Sequence, residues 1–170
     1  MDSAVGHGSV FWIDLRLADG ATAAAAGVIP APESVHGLTC DVLHIEDNAQ
    51  NVAVIDTFLA SCPKVRLRTS PSSDAGLALA RERRPDIVLL DIQLPDMDGC
   101  QVLQALRSDA QGLQHLRDVA VIALSADAMP HDIQRGLGAG FDRYLAKPVN
   151  LRGLVQTLDE VMRASTVRPI

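Results

Sequence analysis

"DIVLLDIQLPDMDG", residues 86–99, sets a carboxylate at the end of a core strand. Ile87 to Leu90 form an unbroken apolar run, too short for a helix and fit for a strand covered on both faces. Asp91 follows directly, and Leu94-Pro95-Asp96-Met97-Asp98-Gly99 then reads as a turn. A strand of that kind belongs to a parallel sheet, and its acid would be held on a rigid base.

The flanking sequence repeats the theme. "DVLHI", "KVRLRT", "DIVLL", "DVAVIAL" and "DRYLA" read as strands, the second polar enough for a sheet edge. Between them, Val52, Ile55, Phe58 and Leu59 mark a helix ended by Pro63, "DAGLALARER" and "GCQVLQALRSD" are helical, and "PHDIQRGLGAG" runs into glycines. Leu151, Leu154, Leu158, Val161 and Met162 stripe a last helix. Five strands alternating with five helices predict an α/β fold, a doubly wound parallel sheet with helices on both faces. Arg81, Arg83 and Arg84 suit the C-terminal end of the second helix and are expected to be solvated.

The 170 residues allow one ordinary domain plus a small addition. Hydrophobic residues make up 48% and aromatic ones 3%, so aliphatic side chains must fill the core. A net charge of -6 argues against nucleic acid, which calls for clustered Lys and Arg, and against a basic membrane surface. Cys40, Cys62 and Cys100 form no CxxC and read as reduced thiols of a cytoplasmic protein. No apolar run approaches the ~18 residues of a membrane span, and no signal peptide is expected. Residues 18–39, rich in Ala, Gly, Pro and Ser, read as a linker, residues 40–166 as the main domain and 167–170 as a tail. Residues 8–17 alternate like a strand, which needs a partner.

Ligands of open α/β sheets bind outside the carboxyl ends of the strands. Those ends carry Glu46-Asp47, Asp91, Ser125 and Lys147-Pro148. Three carboxylates sharing one crevice repel, by about 4 kcal/mol per pair at ~4 Å and an effective dielectric of ~20. A hard divalent cation offsets this, and an oxygen-only donor set selects Mg²⁺ over Zn²⁺. Mg²⁺ also takes phosphate oxygens, which points to phosphoryl transfer with Asp91 as nucleophile, Ser125 donating a hydrogen bond and Lys147 pairing with the phosphoryl group.

With "HIEDN", "LLDIQLPDMDG", "ALSA" and "YLAKPV" in this order, residues from about 40 to 165 resemble a receiver domain of two-component signalling. The resemblance implies the flavodoxin-like strand order 2-1-3-4-5. It implies that Asp91 accepts a phosphoryl group from a histidine kinase or a histidine phosphotransfer protein, with Mg²⁺ held by Asp47 directly, by Glu46 through water, by Asp91 and by the backbone carbonyl of Gln93. It further implies that Ser125 and Tyr144 move together as a switch, and that Lys147-Pro148 is cis. Glu46 for a first Asp and Ser125 for Thr are departures within the family's range. "GHGSVFWIDLRLA", residues 6–18, is similar to the last strands of a histidine kinase ATP-binding domain, so residues 1–17 are expected to be a remnant of one, making the chain the C-terminal part of a hybrid kinase without its catalytic core.

Asp96 and Asp98 are expected to be plain turn residues, His44 a packed or semi-exposed strand residue, and His131 a solvated one; His7, His36, His115 and His131 lack metal spacing. Two rivals stay open. A haloacid dehalogenase-like phosphohydrolase also uses a strand-end Asp, but wants an acid where Gln93 stands. A receiver-like module acting by contact alone needs no phosphorylation.

Overall fold

The structure, a computed structural model, describes residues 2–4, 8–10, 38–108, 114–126 and 129–166. The chain divides into two compact units, Met1–Pro30 and Ala31–Ile170. In the first, Asp2–Ala4 pairs antiparallel with Gly8–Val10, which gives the strand expected there its partner. Residues 11–37, the bulk of the expected linker, and the tail 167–170 lie outside the described residues.

The second unit contains strands β1 (Cys40–Ile45), β2 (Val65–Ser70), β3 (Ile87–Asp91), β4 (Ala120–Ser125) and β5 (Arg143–Ala146). They alternate with helices α1 (Ala49–Leu59), α2 (Ser73–Glu82), α3 (Gly99–Arg107), α4 (Pro130–Ala139) and α5 (Leu151–Thr166). All strand pairs are parallel and the order is β2-β1-β3-β4-β5, as expected.

Side chains of a strand alternate between faces, and here both faces are apolar. Val42, Leu89 and Ile122 pack with Ile55 and Phe58 of α1 and Leu154 and Leu158 of α5. Leu43, Val88, Leu90 and Val121 pack on the other side with Leu77 of α2 and Leu103 and Leu106 of α3. That two-sided burial is why β3 and β4 read as unbroken apolar runs. Leu38, at the end of the segment read as linker, is itself buried in the first of these cores.

Local chemistry sets the helix ends. Asn48 Oδ1 accepts the amides of Gln50 and Asn51 to start α1, Asp98 forms a capping box with Gln101 to start α3, and Gly140 stops α4 at φ 109°. At the edge, Arg68 of β2 donates to Asp41 at 3.0 and 2.8 Å and to the carbonyls of Leu79 and Arg83 that end α2. Arg83 and Arg84 are exposed, as expected, and are also engaged: Arg83 pairs with Asp41 at 3.0 Å and Arg84 donates to the carbonyl of His115 at 2.9 Å. The sheet brings the start of β1 beneath the end of α2, a proximity that sequence spacing does not carry. Among the described residues, no helix is long and apolar enough to cross a membrane.

Candidate functional site

Strand register builds the site. Ile45 is level with Leu90, so Glu46 emerges beside Asp91; Asp91 is level with Leu124, and Ser125 with Ala146, so Ser125 and Lys147 emerge next to them. One carboxylate oxygen each from Glu46, Asp47 and Asp91 lie within 4.8 Å of one another. Glu46 and Asp91 are buried, at 1% and 4% exposure, and Asp47 is exposed.

Lys147 holds two of the three acids: its Nζ is 2.6 Å from Glu46 Oε2 and 2.8 Å from Asp91 Oδ2. Burial opposes the charge of Lys147, but the hydrogen bonds and attraction of Asp91 and Glu46 outweigh it and raise its pKa above the ordinary lysine value. Its backbone is fixed too, the amide donating to the carbonyl of Ser125 at 2.7 Å, and Lys147-Pro148 is cis. One ammonium against three carboxylates leaves the cluster anionic, and its donors are all oxygen. That set fits a hard divalent ion of the Mg²⁺ type, not a thiolate- or imidazole-seeking metal.

Glu46 has little freedom left. Its Oε1 accepts from Asn51 Nδ2 at 3.0 Å and from the Asn48 amide at 3.3 Å, while its Oε2 faces Lys147. Sequence reading missed Asn51. Its position in the first turn of α1, right after the acidic pair, is the signal that could have found it. Gln93 lies two residues past Asp91, its amide donating to Asp91 Oδ1 at 3.1 Å. Ser125 is buried at the end of β4. Tyr144 is half-buried on β5, 2.7 Å from where a Cβ on Gly136 of α4 would stand. Sequence reading took Gly136 only as part of a helix running into glycines.

Two turn residues do more than expected. Asp98 caps α3, and exposed Asp96 reaches across to α2, its Oδ2 accepting the amides of Ser73 at 2.8 Å and Asp74 at 3.4 Å. Slight burial opposes ionisation of Asp96, but the backbone donors of Asp74 and Ser73 prevail and hold its carboxyl below the usual value. Asp96 was read as plain because its partners are 22 and 23 residues away in the chain; those of Asp98 are two and three residues away, and its place just ahead of α3 was the signal.

His44, expected to be packed or semi-exposed, is fully buried; among the described residues neither ring nitrogen has a hydrogen-bond partner. His131 is solvent-exposed, 3.2 Å from Asp132. His7 and His36 lie outside the described residues.

The sequence model of the response regulator receiver domain matches residues 42–159. The sensor histidine kinase AruS of Pseudomonas aeruginosa is 36% identical over 163 residues, 95% of this chain, which spans only 15% of that protein. The polar-differentiation response regulator DivK of Brucella ovis is 34% identical over 71% of this chain and 94% of its own. Among solved structures, the receiver domain of sensor histidine kinase PA1611 from Pseudomonas aeruginosa, determined with a magnesium ion in its active site cleft, is 32% identical. It aligns with a TM-score of 0.64 over 74% of this chain and 99% of its own. The receiver domain of the Francisella response regulator 1452 shares the fold with a TM-score of 0.66 at 23% identity, over 75% of this chain and 99% of its own.

Proposed function

The chain belongs to the response regulator receiver family of two-component signalling, and from that premise we propose that it is a Mg²⁺-dependent phosphoacceptor whose nucleophile is Asp91. The observation that carries this reading is the convergence of the Glu46, Asp47 and Asp91 oxygens within 4.8 Å, with Lys147 Nζ 2.8 Å from Asp91 Oδ2.

An oxygen of Asp91 attacks the phosphorus of a phosphohistidine on a histidine kinase or phosphotransfer protein. The N–P bond breaks as the O–P bond forms, and the imidazole leaves with a proton from solvent. Asp47, Asp91 and the carbonyl of Gln93 would hold Mg²⁺, and Glu46, with both oxygens already engaged, would act through water. When bound, the ion would supply positive charge to offset that of the phosphoryl group. Lys147 gives up part of its pairing with Asp91 to a phosphoryl oxygen, and Ser125 donates a hydrogen bond to another. Tyr144 follows Ser125 inward and the face of α4, β5 and α5 changes, a shift between two packings.

The N-terminal segment favours a hybrid histidine kinase as the source. The match to AruS covers 95% of the chain, more than residues 40–170 can supply, so it extends into the residues that resemble a kinase ATP-binding domain. In that setting the domain is cytoplasmic and relays onward or regulates its own kinase. The haloacid dehalogenase reading is disfavoured by Gln93 in the general-acid position and by metal acids on the first strand.

Intact-mass analysis with acetyl phosphate tests the proposal. One phosphate adduct is expected with Mg²⁺, none with a chelator, and none in Asp91→Asn. An adduct that persists in Asp91→Asn would overturn the assignment, and steady turnover of a phosphomonoester would favour the hydrolase.

A further inference from the structure

We propose that Asp96 is a positioning residue for the phosphoacceptor loop: by clasping the first turn of α2 it fixes residues 92–98, and with them the side of the metal pocket that Gln93 supplies. The inference rests on the reading of that pocket as Mg²⁺-binding and adds a residue to it.

At its start the loop after β3 is pinned to β4 by the Ile92 amide, which donates to the carbonyl of Leu124 at 3.1 Å; beyond Ile92 it is tied mostly to its own neighbours. The Gln93 amide donates to Asp91, the Gly99 amide to the carbonyl of Ile92 at 3.0 Å, and Asp98 with Gln101 caps α3. Those bonds would survive if the loop tilted together with α3. Leu94 and Met97 dock on the apolar core, but such contacts are non-directional. The Asp96 carboxylate is different: it reaches another helix and accepts two of its amides in one orientation, at 2.8 and 3.4 Å.

Helix α2 gains from the same contact. The side-chain oxygen of its N-cap, Ser72, accepts from the Ala75 amide at 3.4 Å, which leaves the amides of Ser73 and Asp74 for Asp96. A negative group also suits the positive end of the helix. One exposed carboxylate thus couples the helix after β2 to the loop after β3, across the mouth of the site.

The test uses the full 170-residue chain with Asp96→Ala and Asp96→Asn. Hydrogen exchange of the Ser73, Asp74, Gln93 and Gly99 amides is measured by NMR in metal-free protein, and the same amide shifts then follow a MgCl₂ titration. In Asp96→Ala all four amides should exchange faster, and Mg²⁺ affinity should fall about tenfold, as for other groups that orient metal ligands from behind. Asp96→Asn keeps an acceptor and should stay near wild type in both readouts. If Asp96→Ala speeds exchange at Ser73 and Asp74 while Gln93, Gly99 and Mg²⁺ affinity stay unchanged, Asp96 is a helix cap and the proposal is wrong. It is equally wrong if Asp96→Asn is as weak as Asp96→Ala and high salt erases the deficit, because long-range charge then explains the effect. A wild-type chain that takes up no Mg²⁺ sinks the metal reading alone, since exchange in the metal-free protein still decides whether Asp96 holds the loop.

Discussion

His44 occupies a strand whose two faces are covered, and among the described residues neither ring nitrogen has a hydrogen-bond partner. Burial first, and the charge of Lys147 second, lower its pKa from 6.5 to about 4, although Asp91 pulls the other way. The unfolded chain therefore takes up a proton on this residue before the folded one does. Stability is unaffected above about pH 6.5 and is lost as the pH falls toward 4, by roughly 3 kcal/mol from this group. His44→Leu removes the titration together with two unsatisfied nitrogens. Urea unfolding at pH 7.5 and at pH 4.5 should show the variant's advantage growing at the lower pH. Parallel pH profiles for the two proteins would show that His44 is not the acid-labile group.

Among the helices, α4 is the one most lightly held. Its buried residue is a glycine, Gly136, and Leu137 on its surface is 45% exposed. Glycine inside a helix costs about 1 kcal/mol relative to alanine, so by propensity alone Gly136→Ala should stabilise. The structure predicts the opposite sign. A Cβ there would stand 2.7 and 2.9 Å from two atoms of the Tyr144 ring, so the ring must leave its seat or the helix must lift, at about 1–3 kcal/mol. Gly138, with nothing within 4 Å of its Cβ position, is the control and should gain from alanine. Chemical denaturation gives both signs. Tyr144 is the chain's sole tyrosine, so a single set of ring NMR signals reports whether the seat has been vacated. Unmoved signals in a stabilised Gly136→Ala would mean the ring does not need the glycine.

At the scale of the whole molecule, the anionic cluster should link folding to metal. Lys147 reaches Glu46 and Asp91, while among the described residues no ion pair engages Asp47. A divalent ion bound only by the folded chain should raise stability by about 2.7 kcal/mol at a concentration a hundredfold above its dissociation constant. Thermal unfolding should therefore shift upward with MgCl₂ and return with EDTA. Asp47→Asn relieves repulsion, so it should be slightly more stable than wild type without metal and insensitive to Mg²⁺. A variant that responds to MgCl₂ like wild type would remove Asp47 from the set of ligands.

The fold was legible because its causes are local in the chain. Unbroken runs such as Ile87–Leu90 record burial on both faces, the alternation of strands and helices leaves few topologies, and the acids sit at strand ends that the fold must bring together. The engagement of Arg68 with the end of α2, the seat of Tyr144 on Gly136 and the clasp of Asp96 on α2 were decided by the tertiary structure alone. Each joins groups by direction and distance across elements packed side by side. A polar atom's partner depends on where the neighbouring helix end comes to rest, and hydrophobic patterning specifies which face of an element is buried but not which donor meets which acceptor there.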